Sequence, residues 1–246
     1  MRKWSFLGLL PWIIIWEVIS HFYIKDPGLF PSFFEVLKNL VQLVFVNQKM
    51  GPHLAASSFR FLVAFAIAAP LAYFLAVLAA GQKVIRFLFN PIVTSTYPLP
   101  KVALIPLVLL FFGTGDLSKI VLIGLGVFYL IYINTYHGAV FLMQSPMQDV
   151  INVYHVKGRH FWYSFLTKGS FKSFLVGAKA GAGYGLTLVV VSEMSLSQSG
   201  VGYFIWSAWD SFRILDMYSG IFLIGVLGFI MNYFSDWLID KAGTNE

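Results

Sequence analysis

Two charged side chains, Lys101 and Glu193, occur within long apolar stretches of the chain. An ionised group in such a stretch is costly unless it faces protein or water, and it commonly marks a solute pathway. Both residues are therefore candidates to line one, with an interfacial carboxylate in water as the alternative for Glu193. Asn134 and Tyr136 belong to a third apolar stretch and could line a route for a polar solute, with packing as the competing explanation.

Patterns that support catalysis or cofactor binding are not found in the sequence. The chain has no cysteine, which excludes disulfides and thiolate metal sites. His155 and His160 are five residues apart, a spacing that separates them around a helix and argues against a metal site. No G-x-x-x-x-G-K-[ST] loop is present, so we expect no ATP binding by that route. We expect a protein that is not an enzyme and binds no cofactor or metal itself.

The glycine-rich stretch "GAKAGAGYG", residues 177–185, resembles a nucleotide-binding loop only in composition. No strand precedes it, and no βαβ unit surrounds it. Gly177, Gly181 and Gly185 recur every four residues, which places them on one helix face where a second helix can approach closely. The pattern favours helix packing.

The composition indicates what positions these residues. Of the 246 residues 58% are hydrophobic and only 11% are charged, too few to cover a water-facing surface. Apolar runs near the roughly 20 residues that cross a bilayer predict an all-α, multi-pass membrane protein of about six spans. The first is predicted to be a retained span, since no small-residue cleavage site follows it. The spans are Phe6–Ile24, Leu54–Ala80, Val84–Phe112, Leu117–Phe141, Phe171–Met194 and Leu215–Ile239.

The third span contains four prolines in sixteen residues: Pro91, Pro98, Pro100 and Pro106. Each removes a backbone donor and bends or breaks a helix, which a membrane tolerates only where neighbours or cavity water satisfy the freed groups. The sequence predicts a broken helix beside a pathway, with an ordinary kinked packing helix as the alternative.

An amphipathic helix is predicted between the first two spans, in "PSFFEVLKNLVQLVF". Its apolar residues recur at helical spacing, and Glu35, Lys38 and Gln42 lie opposite them. We expect this helix to lie on the membrane surface. The predicted apolar face consists of Phe34, Leu37, Leu40, Val41 and Val44.

The distribution of basic residues predicts the orientation in the membrane. With the N-terminus inside, nine Lys and Arg residues fall in cytoplasmic segments and five in external ones. This excess favours cytoplasmic positions for both termini. The segment 151–172, which is rich in basic and aromatic residues, then becomes the longest cytoplasmic loop.

Several motifs together resemble one family, the permease subunits of binding-protein-dependent ABC importers in the nitrate, alkanesulfonate and taurine branch. "YPLPKVALIPLVLLFFGTGDLSKI" is similar to that branch's P-x-P-[KPL]-x-A-x-x-P-L-x-x-x-[WF]-F-G-x-G-x-x-S-K stretch. "NTYHGA" resembles its N-T-Y-x-G element, and "SEMSLSQSGVGYFIW" resembles its E-M-x-x-x-x-S-G-[LV]-G-Y element. "PSFFEVL" falls where the branch has P-S-x-x-x-V-L, so the resemblance covers almost the whole chain.

The resemblance implies a type I ABC importer permease fold in a single domain, 1–246, with the first span and surface helix in 1–50 and the core spans in 51–246. It implies a dimer with a second copy or a paralogue, cytoplasmic ABC ATPase subunits that bind ATP and Mg, and an extracytoplasmic solute-binding protein. The setting would be the bacterial inner membrane, with lipid around the spans and no nucleic acid. A small polar or anionic solute would cross by alternating access, along a path lined by Lys101, Asn134, Tyr136 and Glu193.

The resemblance also implies a role for segment 151–172, because the loop after the fourth span forms a coupling helix that docks on the ATPase. The family pattern there is E-A-A-x-x-x-G. Asp149 takes the Glu position, His155 takes the Gly position and Gly158 comes three residues late. A specialised ATPase or a more typical partner permease would explain this departure, and a basic loop on anionic lipid is the alternative. The implied coupling residues are Asp149, Tyr154, His155, Lys157, Gly158, Arg159, Phe161 and Trp162.

Three other functions stay open. A secondary transporter would show inverted repeats and midplane acids, and an intramembrane enzyme would show a Ser/His or paired-Asp site. An export-type permease or a non-transporting scaffold is compatible with the altered coupling motif. The sequence does not name the solute.

Overall fold

The computed structural model describes residues 8, 10–24, 28–144, 153 and 158–243. These residues form nine α-helices and no strand, which confirms the all-α prediction. The helices are α1 Leu10–Val18, α2 Phe33–Val41, α3 Met50–Gly81, α4 Lys83–Thr96, α5 Ile105–Phe112, α6 Asp116–Leu142, α7 Lys168–Leu196, α8 Val201–Asp210 and α9 Ile214–Gly243. Wider π-helical turns extend α1 and α2 over Ile19–Tyr23 and Gln42–Val46, and a third, His160–Thr167, leads into α7.

Four helical segments in the described part of the chain are long and apolar enough to cross a membrane: Met50–Gly81, Asp116–Leu142, His160–Ser195 and Ile214–Ala242. A fifth candidate is the pair Lys83–Thr96 and Lys101–Phe112, which bends by 101° at its break. This bend confirms the predicted break in the helix, and it stays a prediction that the two parts form one span. The predicted first span lies partly outside the described residues, so the number of six spans stays a prediction.

The chain divides into two compact units. The first comprises residues 1–57 and 193–227, and the second comprises residues 58–192 and 228–246. The single permease domain, 1–246, stays a prediction.

In the first unit, α2 begins with a reciprocal cap. The Ser32 hydroxyl accepts from the Glu35 backbone N–H, and the Glu35 carboxylate accepts from the Ser32 N–H. The buried face of this helix carries Val36, Leu40 and Leu43. Leu40 of the predicted apolar face is buried, while Phe34, Leu37 and Val41 are exposed. The buried residues lie at one edge of a broad apolar face, and the exposed ones lie at its other edge. A position of this helix on the membrane surface stays a prediction.

The core of the first unit joins α2, the start of α3, α8 and α9. Its buried side chains are Leu40, Leu43, Met50, Val201, Phe204, Ile205 and Leu223. The Asn39 side-chain amide also donates to Asp216 at 2.9 Å and to the Ser219 hydroxyl at 3.0 Å. Polar side chains therefore tie α2 to α9 in addition to the apolar contacts.

The second unit packs α3, α6 and α7 at close range. Buried alanines along α3, from Ala64 to Ala79, form one cluster with Ile123, Val127 and Ile131 of α6 and with residues of α7. On α7, a Cβ at Gly177 would lie 2.9 Å from the Asn134 Cβ, and one at Gly181 would lie 3.3 Å from the Val127 carbonyl oxygen. The predicted packing role of the glycine stripe is confirmed.

Candidate functional site: a polar cavity at the broken span and the segment before α7

Lys101 lies at the break between α4 and α5, with only 3% of its surface exposed. Its Nζ donates to the carbonyl oxygens of Thr96 at 2.9 Å, Tyr97 at 3.0 Å and Leu99 at 2.9 Å. Carbonyls at the end of a helix lack intrahelical partners, and proline nitrogens at 98 and 100 cannot donate to any group. The ammonium therefore supplies the hydrogen bonds that the prolines do not.

The aromatic ring of Tyr129, on α6, also contacts the ammonium group of Lys101. Nζ lies 4.1 Å from the ring centroid, a cation–π geometry. The Tyr129 hydroxyl is 2.6 Å from the Thr96 hydroxyl at the end of α4. Two contacts with Tyr129 thus attach the region of the break to α6, one from the Lys101 ammonium group and one from the Thr96 hydroxyl.

A cavity of about 330 Å³ opens beside this break. Its polar wall consists of Lys101 and the tyrosines Tyr97, Tyr129 and Tyr184, and the rest is formed by Pro98, Leu99, Pro100, Gly126 and Leu130. A buried positive charge beside phenol hydroxyls favours a small anion or a polar solute with an anionic group. Lys101 faces protein and this cavity, as expected for a charge in an apolar stretch, and a role in lining a solute path stays a prediction.

Asn134 and Tyr136 lie further along α6 and are not among the residues that line this cavity. The Asn134 side-chain amide donates to the Leu130 carbonyl of its own helix at 2.8 Å. The Tyr136 ring is stacked on Tyr132, with 5.9 Å between centroids and 3° between planes. In this arrangement both residues contribute to packing, and a path-lining role for them stays a prediction.

Glu193 is completely buried in the first unit. The Ser57 hydroxyl lies 2.8 Å and 2.9 Å from its two carboxylate oxygens, and the Gly202 backbone N–H donates to one of them at 3.0 Å. The Ser57 hydroxyl accepts in turn from the Val201 N–H at 2.8 Å. The carboxylate thus lies at the N-terminus of α8, where free N–H groups favour an anion.

This arrangement explains the glycine that precedes α8. Gly200 has φ +110°, and a Cβ there would collide with the Glu193 carboxylate. Its N–H donates to His53 Nδ1 at 3.2 Å. In the described structure Glu193 fastens the end of α7 to the start of α8. Sequence reasoning did not identify Ser57 as a partner of the buried acid.

Arg60 is a third buried charge, which sequence reasoning assigned to a span and gave no role. Its Nε lies 2.8 Å and its Nη2 2.7 Å from Asp116 Oδ1, at the first residue of α6. This ion pair attaches α3 to the Gly-Thr-Gly turn before α6. A basic residue inside an apolar stretch, the feature that identified Lys101, was the available signal.

The predicted coupling residues divide into two groups. Asp149, Tyr154, His155 and Lys157 lie outside the described residues. Gly158, Arg159, Phe161 and Trp162 are described, the first two exposed and the aromatic pair half-buried. Gly158 has φ +59°, the left-handed conformation that glycine adopts readily.

Trp162 packs against the end of α3. A Cβ at Gly81 would lie 2.5 Å and 2.8 Å from carbons of the Trp162 ring, so the indole occupies space that only glycine leaves free. Nearby, the Tyr73 hydroxyl donates to the Thr167 carbonyl at 2.6 Å. Phe161 and Trp162 therefore anchor the segment to its own chain, while Arg159, His160 and Tyr163 are exposed.

No protein-family model matches the chain. Curated relatives align over most of it. A Bacillus subtilis protein assigned as an aliphatic sulfonates transport permease, SsuC, is 28% identical over 92% of this chain and 82% of its own length. The taurine transport system permease protein TauC of Escherichia coli is 24% identical over 89% and 81%, and the nitrate import permease protein NrtB of Synechocystis is 25% identical over 92% and 84%. The chain is thus a homologue of ABC transporter permeases, and the resemblance to the nitrate, sulfonate and taurine branch is confirmed.

Proposed function

We propose that this homologue of ABC importer permeases is the membrane-spanning subunit of an ATP-driven importer and forms the path for a small anionic solute. The observation that carries the proposal is the broken span, where a buried cation and three tyrosines surround a cavity of about 330 Å³. Relatives named for aliphatic sulfonates, taurine and nitrate support an oxyanion as the solute.

The charge of Lys101 acts on the solute at short range. All three ammonium protons are donated to carbonyl oxygens, so the residue attracts an anion through its field. Tyr97 and Tyr184 line the same cavity, and each carries a hydroxyl that can donate a hydrogen bond. A sulfonate fits this set, because its oxygens accept hydrogen bonds and its alkyl group can contact the prolines.

We propose alternating access as the mechanism, with ATP and Mg bound by separate cytoplasmic ATPase subunits. Both termini would be cytoplasmic, and an extracytoplasmic binding protein would deliver the solute at the opposite side. The ATPase would dock on the segment around Gly158 and Arg159. Because Trp162 contacts α3 at Gly81 and the segment continues into α7, a displacement of the segment would move both helices.

Uptake by reconstituted vesicles tests this proposal. The chain is purified with the ATPase encoded beside it and placed in vesicles containing ATP, and the binding protein is added outside with labelled alkanesulfonate, taurine or nitrate. We expect uptake of at least one oxyanion that requires ATP hydrolysis. Uptake at full rate without ATP would overturn the proposal in favour of a secondary transporter, and no uptake of any solute by an assembled complex would favour a scaffold.

A further inference from the structure

Gly126, on α6, borders both the cavity at the break and two side chains of α7. It lines the cavity together with Tyr129 and Leu130, which lie about one turn further along the same helix. A Cβ at Gly126 would collide with Leu188 Cδ1 and would lie 3.0 Å from two ring carbons of Tyr184. The Tyr184 ring and the Leu188 methyl group therefore occupy the space that a side chain at position 126 would need.

The two neighbours on α7 differ in their freedom to move. Leu188 is completely buried in the core of the second unit, in one cluster with side chains of α3 and α6. Tyr184 is half-buried and lines the cavity, so its ring borders open space. A side chain added at position 126 would therefore displace the Tyr184 ring towards the cavity.

Tyr129, the other tyrosine on the helices that form this wall, is held in place. It contacts the Lys101 ammonium group, and its hydroxyl is 2.6 Å from the Thr96 hydroxyl. The ring of Tyr184 is thus the part of the cavity wall on which a change at position 126 acts.

We propose that Gly126 determines the size of the largest anion that the cavity admits. The proposal rests on the proposed function and adds to it a limit on the organic group of the solute. Without a side chain at position 126, the Tyr184 ring lies close to the backbone of α6 and leaves room for an alkyl or aromatic sulfonate. With one, the ring extends further into the cavity, which favours a compact oxyanion such as nitrate or methanesulfonate. One methyl group is enough, since a single methylene changes discrimination in a pocket by about 10- to 200-fold.

The absence of cysteine from the sequence allows a test that measures entry into the cavity without transport. Leu130→Cys provides a single thiol in the cavity wall. The full chain, purified with its ATPase, is treated with two anionic thiol reagents of different size. One is sulfonatoethyl methanethiosulfonate, and the other is a methanethiosulfonate whose sulfonate is carried on a naphthalene ring. The rates of modification by the two reagents are compared.

The variants separate the contact with Tyr184 from the collision in the core. Gly126→Ala is made in a Leu188→Val background, because valine lacks the Cδ1 atom and leaves only the contact with the Tyr184 ring. Gly124→Ala in the same background is the matched control on α6. A Cβ at Gly124 meets no atom closer than 3.9 Å, and this glycine is not among the residues that line the cavity. A further Tyr184→Ala change removes the ring through which position 126 is proposed to act.

We expect Gly126→Ala to slow modification by the naphthalene reagent about tenfold relative to the small reagent. Gly124→Ala should leave the ratio of the two rates unchanged, and Tyr184→Ala should abolish the effect of Gly126→Ala. Equal slowing of both reagents, an unchanged ratio, or a difference that persists without the Tyr184 ring would overturn the proposal.

ATP-driven uptake of nitrate and methanesulfonate into vesicles is measured on the same variants without the added cysteine. Uptake combined with unselective modification contradicts only the role of Gly126. Selective modification in an assembled complex that takes up no anion supports the role of Gly126 and contradicts the importer. The two proposals therefore fail in distinguishable ways.

Discussion

The indole of Trp162 and the backbone of Gly81 lie so close that no other residue fits at position 81 without displacing the ring. The contact joins the end of α3 to the segment that precedes α7. Since that segment carries exposed basic residues at its start, the contact connects a surface available to a partner with two helices of the core.

Gly81→Ala is expected to displace Trp162 and lower ATP-driven uptake several-fold, with the ATPase still bound. Uptake and ATPase co-purification are measured in parallel. Gly51→Ala is the matched control, because this glycine is also on α3 and a Cβ there meets no atom within 4 Å. Adding Trp162→Leu to Gly81→Ala removes the collision and should restore part of the uptake. Unchanged uptake by Gly81→Ala would show that the contact between Trp162 and Gly81 does not transmit motion from the ATPase to α3.

Gly158→Val is expected to weaken ATPase association, because a β-branched residue is strained at φ +59°. The cost of a left-handed conformation is about 1–2 kcal/mol for an ordinary residue, while Asn tolerates it better. Gly158→Asn should therefore retain more of the ATPase in pull-down experiments. Equal retention by the two variants would remove backbone conformation as the cause.

Arg159→Glu tests the exposed charge of the same segment. We expect reduced co-purification of the ATPase at low salt and normal insertion in the membrane. Lys83→Glu makes the same charge change at an exposed lysine elsewhere in the chain and serves as the control. Equal losses in both variants would mean that general charge, and not the segment before α7, governs the association.

Lys101→Met is expected to lower stability and uptake together. It leaves the carbonyls of Thr96, Tyr97 and Leu99 without their donor, and each unsatisfied buried group costs about 1–3 kcal/mol. Thermal unfolding in detergent measures this loss. Tyr184→Phe removes only a hydroxyl from the cavity wall, so it should raise the KM for uptake with little change in the unfolding temperature.

Glu193→Ala is expected to destabilise the protein by several kcal/mol, since the Ser57 hydroxyl and Gly202 N–H lose a charged acceptor in a buried site. In a double-mutant cycle, Ser57→Ala should cost much less in the Glu193→Ala background than alone. If Glu193 instead lines the solute path, Glu193→Gln would abolish uptake, while the unfolding temperature would stay within experimental error.

The sequence predicted the features that depend on local pattern. Hydropathy identified the long spans, four closely spaced prolines identified the break, and a repeat of every four residues identified the packing face of α7. Each of these follows from backbone geometry or from the cost of charge in lipid. Lys101 was found for the same reason, since a cation in an apolar stretch needs protein or water.

The partners of buried groups could not be predicted in this way. Ser57 is 136 residues from Glu193, and Trp162 is 81 residues from Gly81, so no spacing rule connects them. For α2, the sequence predicted one broad apolar face, and only the fold showed that Val36, Leu40 and Leu43 at its edge are buried. The aromatic residues before α7 suggested contact with a partner, yet Phe161 and Trp162 pack on their own chain.

The environment of Lys101 has a consequence for the leakage of cations across the membrane. Its partners are carbonyl dipoles and a tyrosine ring, and none of the described residues supplies a carboxylate to cancel the charge. A fixed positive charge in the wall of a cavity raises the free energy of any entering cation, as a fixed arginine does in channels that exclude protons. We therefore expect the cavity to resist leakage of protons and sodium ions, so that the membrane potential survives each opening.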